Sequence, residues 1–179
     1  MDDQIILAVG DNGKFNGEYI PKWEGHTGEG KRHLAITVLI YNSKGEVLLQ
    51  KRKHKVFDDI WDFTGATHPL HSKDGDETVE EATQRCLDYE YGIKQNLNFK
   101  NLGFFNYFSK YGSLCENEHC AMLVGEYNGS LNLNEDVGYS YKWMDKNKFL
   151  KDLEKNPKNY SPWAVAGSKV LKENNFFNV

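Results

Sequence analysis

The stretch L34-A-I-T-V-L-I-Y41, N42-S-K-G45, E46-V-L-L-Q50 leaves the chain few choices. Two short runs of aliphatic and β-branched residues, separated by four residues of turn chemistry, read as strands joined by a tight turn. Their apolar side chains need cover, and the rest of the chain offers it. In E77-T-V-E-E-A-T-Q-R-C-L-D-Y-E90, Val79, Ala82, Cys86 and Tyr89 recur at helical spacing and Gly92 stands just beyond, so an amphipathic helix with a glycine C-cap is expected. Residues 102–109, 118–127 and 139–144 are strand-like, and 146–155 and 161–172 are helical, the last opening on S161-P-W163, an N-cap residue followed by proline. Before the first long strand, an apolar run over 4–9 and the turn D11-N-G13 lead into a polar, glycine-rich loop reaching Arg32. One helix interrupts the strands and two follow them, which predicts an α/β architecture, a mixed β-sheet sandwiched between α-helices.

A length of 179 residues suits one domain, taken as 1–179, with a single core. The 22 basic residues against 26 acidic ones leave no global positive field, so neither nucleic acid nor an anionic membrane surface is an expected partner. Three cysteines make no even disulfide framework, and the first residues lack a basic segment and a long apolar run, so a cytoplasmic location is expected. No stretch approaches the ~20 apolar residues of a bilayer span.

Chemistry concentrates in a few places. His26 and His33 lie seven apart in the glycine-rich loop, His68 follows the segment W61-D-F-T-G-A-T67, and Glu116 and Glu118 flank Asn117, where strand alternation puts both carboxylates on one face. Three imidazoles and two carboxylates suit an octahedral or near-octahedral divalent ion. Taken alone, loop histidines are commonly solvated and E-N-E at a strand start is commonly a charged edge, and these distant residues carry no diagnostic spacing.

The helix segment E77-(x7)-R85-C-L-D-Y-E90-Y-G92-I93 resembles a partial Nudix box, whose usual form ends R-E-U-x-E-E-x-G-U with U aliphatic. Six blocks in order, from about residue 4 to about residue 172, resemble the type 1 isopentenyl-diphosphate isomerase branch of that superfamily. They are G25-H-T27 with His33, L48-L-Q-K-R52, Trp61 with H68-P69, E90-Y-G92-I93, E116-N-E118 and S161-P-W163. The resemblance implies the Nudix fold and a divalent metal (magnesium, manganese, zinc or iron) on His26, His33, His68, Glu116 and Glu118. It implies a magnesium near Glu90 that accompanies a diphosphate substrate, and diphosphate contacts from Lys22, Arg52 and Lys55. It gives Glu118 a catalytic role supported by Tyr107, and places Trp163 against a developing carbocation. His54, His71 and His119 match no ligand position.

One departure bears on the activity. Those isomerases protonate a double bond and remove a proton on its other side with a cysteine and a glutamate, and the cysteine position here is Ala66. Losing a positioned acid or base costs ~10²- to 10⁴-fold in rate. Thr64 and Thr67 hold their protons too tightly to replace a thiol, and Cys120 reads as a packed thiol. Three readings follow: a metal-dependent isomerase-like enzyme on a diphosphate with altered acid/base chemistry, a Nudix hydrolase of a nucleoside or other diphosphate, and a diphosphate-binding protein without turnover. The hydrolase reading accommodates Ala66 but meets Cys86 and Tyr89 where box glutamates are usual. The native metal, the organic half of the substrate and the oligomeric state stay open.

Overall fold

The computed structural model of the protein describes residues 3–178. Its strands are β1 (Ile5–Val9), β2 (Phe15–Pro21), β3 (His33–Tyr41), β4 (Glu46–Arg52), β5 (Trp61–Asp62), β6 (Gly65–Thr67), β7 (Leu70–Ser72), β8 (Gly75–Asp76), β9 (Lys100–Tyr111), β10 (Leu114–Glu126) and β11 (Gly138–Asp145). The helices are α1 (Lys22–Gly25), α2 (Val79–Tyr91), α3 (Lys146–Lys155) and α4 (Pro162–Glu173).

The sheet is mixed. β3 runs parallel to β10 from His33↔Glu118 to Tyr41↔Glu126, and β10 pairs antiparallel with β9. β1 touches the start of β3 at Ala8↔His33 and carries β2 and β7. Side-chain alternation along β3 and β10 then decides the layers. Ile36, Val38, Ile40, Ala121 and Leu123 pack with Ala82, Leu87 and Tyr91 of α2. Leu39, Met122 and Val124 belong to the opposite cluster, with Phe149 and Leu153 of α3 and Ala164, Val170 and Leu171 of α4. Helices therefore cover both faces, as the pattern of elements predicts.

Local signals set the helix ends. Thr78 caps α2 with a reciprocal capping box: Glu81 N donates to Thr78 Oγ1 at 3.1 Å and Thr78 N donates to Glu81 Oε2 at 2.8 Å. The helix starts at Val79 rather than Glu77 because the Glu77 carboxylate is taken by Arg85 and by Leu70 N. Gly92 ends the helix at φ 67°, the left-handed cap expected of it. Ser161 caps α4, accepting from Ala164 N at 3.2 Å.

The turn over 42–45 forms, but its two strands do not make the hairpin ladder that the sequence suggests. β3 and β4 share the single pair Tyr41↔Val47 and then part. The segment 61–67 enters the gap, with β5 on β4 at Gln50↔Asp62 and β6 on β3 at Val38↔Gly65, Thr37↔Ala66 and Ile36↔Thr67. Thr64 lies between them, fully buried, and its hydroxyl accepts from Ile40 N at 2.8 Å and donates to Leu48 O at 2.7 Å. One side chain thus replaces the ladder bonds lost where the strands diverge. The polar stretch before Arg32 contains β2, which the lack of apolar alternation hid: only Ile20 along it is buried.

Thr64→Val, which keeps the shape and removes both bonds, leaves a buried donor and a buried acceptor unpaired and is expected to cost about 1–3 kcal/mol in denaturant-induced unfolding. A loss below about 0.5 kcal/mol would show that the strands are held apart by packing alone.

Candidate metal centre

Four side chains converge where β3 begins and β6 ends, alongside the first half of β10. His26 follows α1, His33 begins β3, His68 follows β6, and Glu118 lies on β10 in register with His33. One donor atom from each lies within 4.8 Å of the other three. The ring centroids are 4.6 Å apart for His26 and His33, and 5.0 Å apart for each of these with His68. Gly25 makes room for this: a Cβ there would stand 2.8 Å from His33 Nδ1.

Hydrogen bonding at the outer nitrogens sets the tautomers. His33 Nδ1 faces the Lys31 carbonyl at 2.8 Å and His26 Nδ1 faces the Cys115 carbonyl at 3.1 Å, so each Nδ1 carries the proton and donates it. Both Nε2 lone pairs then point inward, and these two atoms are buried with no hydrogen-bond partner. Glu118 Oε1 lies 3.6 Å from His33 Nε2 and 3.0 Å from His68 Nε2. Bonds of about 2.1 Å to one ion would space its ligand atoms about 3–4 Å apart, so the group could hold a divalent ion, and the inward-facing imidazole nitrogens suit it.

The charge states agree. Burial above all pushes His68 well below the usual histidine range and keeps its ring neutral. Burial would raise Glu118, but the neighbouring His33, the hydrogen bond from Tyr107 and the neighbouring His26 outweigh it and hold the carboxylate ionised. Burial and the two glutamates hold the Tyr107 phenol well above its ordinary range, and it donates a short hydrogen bond to Glu118 Oε2.

The other expected site residues fall in three places. Glu116 lies beside the cluster, its Oε2 3.1 Å from His26 Nδ1, on the outer side of that ring. Lys22, Arg52, Lys55, Tyr107 and Trp163 line one cavity of about 590 Å³ with His26, His68, Ala66, Glu116 and Glu118. Glu90 stands apart under Gly65, where a Cβ would meet Cys86 Sγ at 2.8 Å and Glu90 Oε2 at 3.5 Å. Its carboxylate accepts from Gln50 Nε2 at 2.7 Å, and burial pushes it up to about 7. None of the candidates read from the sequence replaces a thiol at residue 66, and Cys115, which also lines the cavity, has its thiol raised by burial and by Glu116. Cys120 is buried and its thiol is pushed well above its ordinary range, and the Thr64 hydroxyl is committed to backbone.

Three residues that line or brace the site escaped sequence reasoning. Lys53 and His54 join the basic side of the cavity. Arg85 grips Glu77 through two bonds of 2.7 Å and donates to the His68 carbonyl at 2.8 Å, tying α2 to the segment that carries a candidate ligand. The clustered basic run K51-R-K-H-K55 was a legible signal for the first two. The pairing of Arg85 with Glu77, eight residues apart, was not.

A sequence profile described as the NUDIX domain matches residues 31–164. The chain belongs to the Nudix family. Isopentenyl-diphosphate Delta-isomerase 2 of Aromatoleum aromaticum is 30% identical over 169 residues, covering 93% of this chain and 85% of that protein. Isopentenyl-diphosphate Delta-isomerase of Escherichia coli O1:K1 / APEC is 27% identical over 168 residues, covering 92% and 90%. The solved structure of DR0079 from Deinococcus radiodurans shares the Nudix fold with a TM-score of 0.65 at 16% identity, over 86% of this chain and 90% of that one. The helix α2 is therefore the Nudix helix, and of its expected carboxylates only Glu90 turns inward, since Cys86 is buried and Tyr89 is 63% exposed. No helix among the described residues is long and apolar enough to cross a membrane.

Glu90 gives a pH prediction. Its carboxyl stands at about 7 in the folded protein against 4.5 for the ordinary group. The folded state keeps a proton that the unfolded chain releases, so the stability this group contributes is intact at low pH and is lost as pH rises through about 7. In the presence of a chelator, Glu90→Gln is expected to raise Tm over the wild type by more at about pH 8 than at about pH 5, measured calorimetrically. An equal Tm difference at both pH values would show that the carboxyl is not held neutral.

Proposed function

We propose that the protein is a divalent-metal-dependent Nudix-superfamily enzyme acting on a small-molecule diphosphate, resembling isopentenyl-diphosphate isomerase but with altered acid/base chemistry. The observation that carries this reading is the pair of buried, inward-facing nitrogens of His26 and His33 beside ionised Glu118, opening into a cavity with a basic side. His26, His33, His68 and Glu118 would hold the ion, with Glu116 as a fifth donor once it leaves His26 Nδ1. A donor set of three imidazoles favours zinc, manganese or iron over magnesium. When bound, such an ion supplies concentrated positive charge and Lewis acidity. The domain is taken as residues 1–179, because β1, β2 and α4 pack onto the same body as the matched segment.

The chain's own residues then divide the work. Lys22, Arg52 and Lys55 receive the anionic diphosphate. A magnesium accompanying it would have to draw Glu90 away from Gln50 and from its proton. Glu118, ionised and fixed by Tyr107, can accept or return a proton on the substrate. The methyl of Ala66 can do neither, so the second proton transfer of a double-bond isomerisation lacks its usual group. Ala66 favours hydrolysis as the second reading, since attack by water needs no thiol. With Cys86 and Tyr89 on α2, that water would be activated at the His/Glu cluster or by Glu90 rather than along the usual run of glutamates.

Elemental analysis of protein purified without chelator is expected to give about one divalent ion per chain, and His33→Ala, which removes a direct ligand, to reduce its affinity by more than the roughly tenfold to hundredfold that loss of an outer-shell partner causes. Full retention of metal by that variant would remove the basis of the reading. With metal present, a panel of diphosphates should reveal turnover: allylic product and solvent deuterium uptake with isopentenyl diphosphate mark isomerisation, and phosphate or pyrophosphate release marks hydrolysis. Binding with neither product would leave a diphosphate-binding protein. Ala66→Cys should raise isomerisation by about 10²-fold or more. No gain in a folded, metal-loaded variant would mean that the pocket has diverged beyond that residue.

A further inference from the structure

Asp62 is 1% exposed and stands at the inner end of β5, behind the basic side of the cavity. A buried carboxylate survives only when its lone pairs are used, and here two donors reach each oxygen. Oδ1 accepts from Phe63 N at 2.7 Å and from Ser161 Oγ at 2.6 Å, which ties it to the backbone and to the N-cap of α4. Oδ2 accepts from Arg52 Nη1 and from the indole Nε1 of Trp163, both at 3.0 Å. The guanidinium carbon of Arg52 lies 4.6 Å from the centre of the Trp163 ring, and Arg52 Nε donates to the Phe57 carbonyl at 3.3 Å. Both Arg52 and Trp163 line the cavity.

These contacts hold the guanidinium on three sides: a carboxylate at Nη1, a carbonyl at Nε and an aromatic face beneath. A planar fork held in this way loses little further freedom when it meets a second anion. The same contacts engage the indole. One face of Trp163 carries the guanidinium, Phe57 meets the ring edge-on at 5.6 Å, and the residue is 3% exposed. A guanidinium already lies against one face of the ring that the resemblance sets against a developing carbocation, and a second positive charge on that face would meet repulsion.

We infer that Asp62 is a positioning residue that aims Arg52 at an anionic ligand and engages Trp163 in the same task, so that this wall recognises a diphosphate rather than a ligand cation. The inference rests on the diphosphate reading above. It is tested by titrating inorganic pyrophosphate calorimetrically into Mn²⁺-loaded wild type, Asp62→Asn, Arg52→Gln and the double variant, with Mn²⁺ affinity measured separately. Each single variant is expected to bind pyrophosphate about tenfold more weakly at unchanged Mn²⁺ affinity, and the double variant no more weakly than Arg52→Gln, because the two residues act as one unit. Wild-type affinity in Asp62→Asn, or losses that multiply in the double variant, would overturn the inference while leaving the diphosphate reading standing. Absence of pyrophosphate binding by the wild type would overturn both. Should Asp62→Asn fail to fold, Arg52→Lys decides, since it keeps the charge and loses the fork. Binding about as weak as in Arg52→Gln supports aim, and wild-type binding refutes it.

Discussion

β3 and β4 part after one residue pair, and the site depends on that parting. A full hairpin ladder between them would leave no room for residues 61–67, which bring Asp62 to the basic wall, Ala66 to the cavity and His68 to the histidine–glutamate cluster. The opening is stable because Thr64 supplies one acceptor and one donor to the two strands from its own hydroxyl. Tyr91 of α2 donates to the Thr64 carbonyl at 2.7 Å, so the Nudix helix and the wedge segment lock each other in place. The fold and the site are therefore not separable layers.

The cluster itself opposes folding. Each unpaired, buried imidazole nitrogen at His26 and His33 forgoes its bonds to water, at about 1–3 kcal/mol. The two apolar clusters on the sheet faces offset this, since a single fully buried aliphatic side chain stabilises by about 1.5–3 kcal/mol. An ion would convert the destabilising lone pairs into ligands, so metal and fold should support each other.

The pocket sets a cluster of three histidines and a glutamate beside a basic wall, with the methyl of Ala66 between them in the lining. The cavity wall around Arg52 is the most heavily restrained part of the lining. Asp62, Trp163, Phe57 and Ser161 all restrain one guanidinium or the group that restrains it. The neighbouring wall at Ala66 is inert. On the proposed reading, a site of this kind grips a charged group, and its chemistry would depend on what Glu118 and an ion could do without a thiol at residue 66.

The sequence by itself determined the elements whose signals are local. The runs of apolar residues marked β3 and β4, the spacing of Val79, Ala82 and Cys86 marked α2, Gly92 marked its end, and Ser161 with Pro162 marked the start of α4, because caps and periodicity act within a few residues. Motif blocks in order also made the histidines and glutamates legible as a set, although nothing in their spacing tied them together. Only the tertiary structure decided that the two central strands diverge, that β2 is a strand, that Glu116 rests on the outer nitrogen of His26, and that Asp62 joins Arg52 to Trp163. Those outcomes hang on hydrogen bonds between residues separated by many positions, up to the 101 between Asp62 and Trp163. Such bonds form only once burial has excluded water from between the partners, and no local pattern along the chain encodes that.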